Sequence, residues 1–240
     1  MTRVDQRKDA RVSRTMLVPA ALLLGLLLVA GTSLLAALSD QPFGDYSRDL
    51  RTLSAAGAGL PLLAGGLALL NMMIWASAGA MAVVVAVIWP PRRGWLLGFA
   101  LLNILLALDD ALLLHEEVGP ELGLPEKGFY VLYAAIGVVL LLGAFRPAAN
   151  LPTEDRKWRV RVQNLPLSGR AFVLGLLLLG LSAVIDQTTH GQYLWEDAPK
   201  LLGALVWLTV PLLELPGKVL PGSRMSQRRP PVEDDHSPGT

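Results

Sequence analysis

Long stretches without any charged residue constrain this chain more than any other feature. Thr15–Ser39 covers 25 residues and Thr52–Pro91 covers 40 without Asp, Glu, Lys or Arg. Four further uncharged runs of 13 to 18 residues follow at 94–108, 128–145, 171–185 and 201–213. A membrane-spanning helix needs about 20 mostly apolar residues, and these runs lack the alternation typical of strands. The sequence predicts an all-α polytopic membrane protein with six transmembrane helices, at 16–38, 66–89, 95–115, 129–146, 171–190 and 198–217.

The basic residues predict how these helices are oriented. If the N-terminus lies inside, 17 of the 21 Lys and Arg residues fall on the inner side, and the outer side holds only Arg48, Arg51, Lys127 and Lys200. This asymmetry follows the positive-inside rule. We therefore predict a multi-pass protein of the cell's inner (plasma) membrane with both termini cytoplasmic. Its predicted regions are a cytoplasmic leader (1–14), a transmembrane domain (15–218) and a disordered tail (219–240).

Carboxylates interrupt two of the predicted spans. In "LNILLALDDALLLHEEVG", residues 102–119, Asp109 and Asp110 follow a run of only 15 uncharged residues. The run before Asp186 has the same length, so both spans reach about 20 residues only by including these acids. An Asp at the centre of a membrane helix costs about 2.5–3.5 kcal/mol, and less near the interface. Because helical neighbours differ by about 100° in direction, Asp109 and Asp110 should face different partners.

The order of polar residues suggests an internal repeat. In each of two predicted hairpins, spans 3–4 and 5–6, an Asp, a His and a Glu occur in that order near the outer end; they are Asp110, His115 and Glu126, then Asp186, His190 and Glu196. This pattern predicts two repeated helical hairpins whose outer ends meet. Asp186 and His190 are four residues apart, a spacing at which both side chains can reach one ion or share a proton.

These residues define the predicted site. A divalent metal (zinc, manganese or calcium) would be held by the predicted ligands Asp109, Asp110, His115, Asp186 and His190. Glu116 or Glu196 would serve as a ligand or as the general base for an activated water. A structural interpretation stands beside this one. Glu126, Glu196 and Asp197 lie at helix N-termini, where the helix dipole favours acids, and a solvated histidine near an interface is ordinary.

Other polar and aromatic residues carry structural predictions. Asn71 and Asn103 are expected to form hydrogen bonds across helices. Glu214 should pair with a basic residue at the inner rim. Aromatic residues should form belts at the two membrane interfaces, with Trp89 and Trp95 at one and Phe129, Tyr130, Tyr133, Tyr193 and Trp195 at the other.

Three segments carry a resemblance to known proteins. "LDDALLLHE", "GLPEKGFYVLYA" and "WEDAPKLLGALVW" together resemble a group of small bacterial multispanning proteins with LDD…HE and ED..KLLG signatures, over roughly residues 60–215. That resemblance implies no activity. A looser one is to membrane hydrolases of the alkaline-ceramidase and adiponectin-receptor type, which implies zinc bound by histidines in a seven-helix core. Here Asp186 and His190 stand at the spacing of that family's late His pair, and only six spans are predicted.

Three functions follow as hypotheses. The leading one is a metal-dependent hydrolase acting on membrane lipid at the outer leaflet. The alternatives are a proton or cation transporter or channel that uses the same carboxylates, and a non-catalytic membrane subunit. The absence of cysteine excludes disulfides, thiolate metal sites and cysteine nucleophiles. Membrane lipid is the expected partner, nucleic acid is not, and the oligomeric state stays open.

Overall fold

The computed structural model describes residues 14–48, 63–144, 166–189 and 193–215. Most of the predicted leader, and all of the predicted tail, lie outside the described residues. Within those ranges the chain is helical and contains no strand. The long helices are α1 (Leu17–Ser39), α2 (Gly66–Ile88), α3 (Arg93–Leu112), α4 (Glu126–Ala144), α5 (Leu167–Thr188) and α6 (Tyr193–Glu214). The all-α prediction is thereby confirmed.

Five of these helices are long and apolar enough to cross a membrane: α1, α2, α3 with the turn that precedes it, α4 from Lys127, and α5. The sixth, α6, is not among them. Glu196, Asp197 and Lys200 lie in its first two turns and lower its mean hydropathy. The chain therefore has the character of a membrane protein. The six-span arrangement requires that α6 also crosses the membrane.

Helix α6 lies at the centre of the bundle. It packs most extensively against α5 and also contacts α2 and α1, while α3 packs mainly against α2. Helix α4 makes only limited contacts with α3 and α5. The two predicted hairpins thus differ, because α5 and α6 pack closely whereas α3 and α4 do not. The predicted repeat is not confirmed.

Glycines bring α5 and α6 together. A Cβ atom at Gly175 would lie 2.1 Å from the Trp207 ring, and one at Gly203 would lie 3.2 Å from the backbone oxygen of Gly175. Small residues of this kind let helix backbones approach closely in membranes.

A cluster of buried aromatic rings fills the middle of the bundle. It consists of Trp75, Trp95, Phe99, Phe172 and Trp207, whose ring centroids lie 5.2–5.9 Å apart in the contacting pairs. The Trp207 indole donates a hydrogen bond to the Phe172 carbonyl, and the Trp95 indole donates to the Leu140 carbonyl. The interfacial position of Trp95 stays a prediction; the residue is 9% exposed and packs inside this cluster. An indole whose N–H has a backbone partner can be buried without penalty.

The two ends of the bundle are both polar. At the end where α2 finishes, Arg92 donates to Glu214 over 3.2 Å, and Ser168 donates to the same carboxylate oxygen over 2.6 Å. This contact confirms the pairing predicted for Glu214. We call the other end, where α1, α3 and α5 finish and α2, α4 and α6 begin, the site end.

Candidate functional site

The end of α3 shapes the site. Span three was predicted to run to residue 115, but α3 ends at Leu112 because Leu113 adopts the left-handed conformation, with φ of 52°. A π-turn, Leu114–Val118, follows. A buried, non-glycine residue with positive φ is uncommon, and this one folds the chain back so that His115 faces α3 again.

Asp109 and His115 form a buried pair across this turn. The His115 backbone N–H donates to Asp109 Oδ1 over 3.0 Å, and His115 Nδ1 lies 2.9 Å from Asp109 Oδ2. The two residues are 3% and 8% exposed. If Asp109 accepts this hydrogen bond, Nδ1 carries the proton and Nε2 is left as the basic nitrogen. Nε2 lies 3.5 Å from Glu116 Oε1.

Competing effects set the protonation of His115. Burial lowers its pKa, whereas the hydrogen bond and charge of Asp109 and the charge of Glu116 raise it. The net result is a pKa raised above the ordinary value of 6.5. Asp109 and Glu116 therefore favour the protonated form of the imidazole over the neutral form.

Asp110 faces a different direction, as predicted for adjacent residues. Its Oδ1 accepts a hydrogen bond of 2.8 Å from Lys200 Nζ, and its Oδ2 accepts one of 3.1 Å from Asn71 Nδ2. The interhelical bond predicted for Asn71 is confirmed, whereas the side chain of Asn103 donates only within α3, to the Phe99 carbonyl. Asp110 thereby links α3 to both α2 and α6.

The second predicted hairpin contributes Asp186 and Glu196. Asp186 accepts a hydrogen bond of 2.8 Å from the Tyr130 hydroxyl of α4. Ser182 donates to the backbone carbonyl of Glu196, which ties α5 to the first turn of α6. His190 lies outside the described residues.

A polar cavity of about 450 Å³ joins these groups at the site end. Five predicted site residues lie in the cavity wall. They come from α3, the π-turn, α5 and α6, and they are Asp110, His115, Glu116, Asp186 and Glu196. Asp109 is not in the wall but lies behind His115. The structure therefore brings one carboxylate from each predicted hairpin, Asp110 and Asp186, to one cavity.

The structure describes only part of the predicted metal-ligand set. Among the residues that the structure describes, no group of three His, Asp or Glu side chains is placed to hold a metal ion. One physical reason is that Asp109 is engaged by His115 and that Asp110 is engaged by Lys200 and Asn71. The predicted ligand set includes His190, so the metal site stays a prediction.

Two contributors to the site escaped the sequence analysis. Lys200 was counted as an outer charge, yet it is the partner of Asp110 and lies in the cavity wall. Tyr130 was assigned to an interfacial belt, yet it donates to Asp186, and its ring centroid lies 5.4 Å from that of His115. A signal for Lys200 was present, because a carboxylate in a membrane segment requires a partner at the same depth.

One comparison with known proteins places the chain in a family. The family model described as "Domain of unknown function (DUF8692)" matches residues 20–213, which is most of the chain. The chain therefore belongs to this family. A search of curated proteins finds no match, and a search of solved structures finds none either.

Proposed function

We propose that this member of the DUF8692 family is a six-span membrane protein that hydrolyses membrane lipid in the cavity at its outer face. The observation that carries the proposal is the Asp109–His115 pair, with His115 in the cavity wall. A carboxylate that fixes the tautomer of a histidine leaves the far nitrogen available as a general base. Such a base activates water without requiring three protein ligands around a metal.

The chemistry would be hydrolysis of an ester. Nε2 of His115 removes a proton from water as the water oxygen attacks the carbonyl carbon or phosphorus. The ester bond then breaks, and the protonated imidazole returns the proton to the leaving oxygen, so that an acid and an alcohol result. Lys200 lies in the same cavity wall as His115, and its positive charge would stabilise negative charge that develops on the substrate.

Two predicted residues take modified roles in this proposal. Glu116 Oε1, 3.5 Å from His115 Nε2, stabilises the imidazole once it is protonated rather than serving as the base itself. Glu196 contributes a carboxyl group to the cavity wall. The predicted zinc, manganese or calcium ion remains a separate proposal, and elemental analysis of the purified protein with and without chelator tests it.

The central position of α6 supports its assignment as the sixth span. Its 22 residues give a length of about 33 Å at 1.5 Å per residue, close to the roughly 30 Å of a bilayer core. Because α1, α2 and α5 surround it, its polar residues would be shielded from lipid, and polar groups inside a membrane face the bundle interior. The distribution of basic residues supports an orientation with the site end outside and both termini in the cytoplasm.

The transporter alternative receives less support. A transport path would need to connect the cavity with the Glu214 cluster at the other end. The aromatic cluster fills the bundle between them, and Phe99, Phe172 and Trp207 are at most 1% exposed. Closely packed rings leave no aqueous route along the axis of the described bundle.

The test is direct measurement of lipid hydrolysis. The full chain, purified and placed in nanodiscs of defined phospholipid, should release products detectable by mass spectrometry. His115→Gln should slow the reaction about 10²–10⁴-fold, the range typical of a lost general base, and Asp109→Asn should also slow it. Glu121→Gln, an exposed change beyond the π-turn, is the matched control. Equal rates for the wild type and His115→Gln, in either the presence or absence of chelator, would refute the proposed base.

A further inference from the structure

An apolar groove continues from the polar cavity. It has a volume of about 580 Å³ and lies between the start of α2 and the end of α3. Its walls include Leu69 and Leu112, which are 47% and 53% exposed. The groove and the cavity share three residues, Ala68, Asp110 and Leu113. The polar cavity therefore adjoins the apolar groove between α2 and α3.

Carboxyl groups outnumber basic groups in the wall of the cavity. Five acids lie in its wall against two basic residues; the acids are Asp110, Glu116, Asp186, Glu196 and Asp197, and the basic residues are Arg48 and Lys200. Independently, Asn71 lies in the wall, and its buried Oδ1 atom has no hydrogen-bond partner among the residues that the structure describes. A buried acceptor without a partner is costly, and a ligand that brings N–H donors would satisfy it.

Arg48 is the basic residue that is placed to bind an anionic group. Lys200 is bonded to Asp110, whereas the Arg48 guanidinium lies over the Tyr193 ring, 5.0 Å from its centroid, in the cavity wall. A guanidinium stacked in this way presents its N–H groups in a plane that suits phosphate. The cavity thus offers acceptors for an ammonium and a donor for a phosphate.

We infer that the occupant is a phospholipid with a zwitterionic, primary-amine headgroup, its ammonium near Asn71, Asp186 and Glu196 and one acyl chain in the groove between α2 and α3. The inference rests on the proposed function for the location of this end at the outer leaflet. A quaternary ammonium has no N–H with which to reach the Asn71 oxygen. An anionic headgroup would meet an excess of carboxylates.

Binding is measured separately from hydrolysis. The full chain in detergent is titrated with short-chain phosphatidylethanolamine, phosphatidylcholine and phosphatidylglycerol, and bound lipid is counted by native mass spectrometry. Soluble phosphoethanolamine serves as a headgroup without a chain. We expect phosphatidylethanolamine to bind at least about tenfold more tightly than the other two lipids, and phosphoethanolamine to bind more weakly than the intact lipid.

Paired variants test the two halves of the site. Ala111→Trp fills the groove and should weaken phosphatidylethanolamine binding about tenfold or more. Leu108→Trp, a lipid-facing change on the same helix outside the groove, should not. Glu196→Gln should reduce the preference for the primary amine. Equal binding of the three lipids would overturn the headgroup assignment, and equal effects of the two tryptophans would overturn the groove.

The His115→Gln variant separates this inference from the proposed function. Selective binding that persists in His115→Gln supports the inference whether or not the wild type hydrolyses lipid. Hydrolysis by a wild type that shows no selective binding would leave the proposed function standing and overturn the inference.

Discussion

Removing Lys200 tests how much the site end depends on its ion pair with Asp110. The Nζ and Oδ1 atoms lie 2.8 Å apart, and the side chains are 33% and 15% exposed. Breaking a fully buried pair costs about 3–5 kcal/mol because it leaves one charge unpaired, whereas an exposed pair contributes about 0–1 kcal/mol. At this intermediate exposure we expect Lys200→Met, or Asp110→Asn, to lower the free energy of unfolding by about 2 kcal/mol.

The double variant tests whether the contributions of Lys200 and Asp110 depend on each other. Lys200→Met together with Asp110→Asn removes both charges, so its cost should fall short of the sum of the single costs by about 1–2 kcal/mol. For a protein of this size, 1 kcal/mol corresponds to about 2–4 °C in Tm. Each single change should therefore lower Tm by about 4–8 °C.

The assay is thermal unfolding in one detergent at fixed pH, followed by tryptophan fluorescence. Glu121→Gln is exposed and should leave Tm unchanged. Asp186→Asn, which weakens the acceptor of the Tyr130 hydroxyl, should lower Tm by less than the Lys200 change does. Strictly additive costs in the double variant, or single variants that melt like Glu121→Gln, would show that Asp110 and Lys200 do not depend on each other.

Further predictions concern the histidine, the helix packing and the topology. Because the pKa of His115 is raised, its pair with Asp109 should stabilise the fold fully below the unfolded value of 6.5 and lose this contribution as pH rises through the folded pKa. The Tm advantage of wild type over His115→Gln should shrink as the pH rises above about 6.5; a constant advantage would contradict this. Gly175→Ala should cost about 1–3 kcal/mol by overpacking, whereas Gly180→Ala, with nothing within 4 Å, should not lower Tm. A reporter inserted at Gly119 should be extracytoplasmic, and its detection in the cytoplasm would reverse the proposed orientation.

The fold was predictable where apolar run length decides the structure. The predicted spans 16–38 and 66–89 agree with α1 and α2 to within one residue at each end. The end of α3 was not predictable, because the residue that stops it is Leu113 rather than a Gly or Pro. No local signal marks a leucine as left-handed. Its conformation depends on the contacts that Asp109 and His115 make only in the folded bundle.

The sequence predicted which carboxylates belong to the site, but it did not predict which side chains they pair with. The depth argument identified Asp110 and Asp186, and helical geometry correctly separated Asp109 from Asp110. The partners depend on which helices pack together. Lys200 reaches Asp110 because α6, 90 residues further along the chain, lies in the centre of the bundle. Charge counting assigned Lys200 only to the outer side, because such counts contain no information about packing.

The central position of α6 also has a consequence for biogenesis. In chain order α6 follows the other five long helices, yet it contacts α1, α2 and α5. In the proposed six-span arrangement, Asp110 would have no lysine to neutralise it when α2 and α3 enter the bilayer, until α6 has been made. Asp110 would therefore hold a proton or keep water as its partner until α6 inserts. Quality-control proteases that recognise unpaired charge in membranes would have their longest opportunity to act on this protein during that interval.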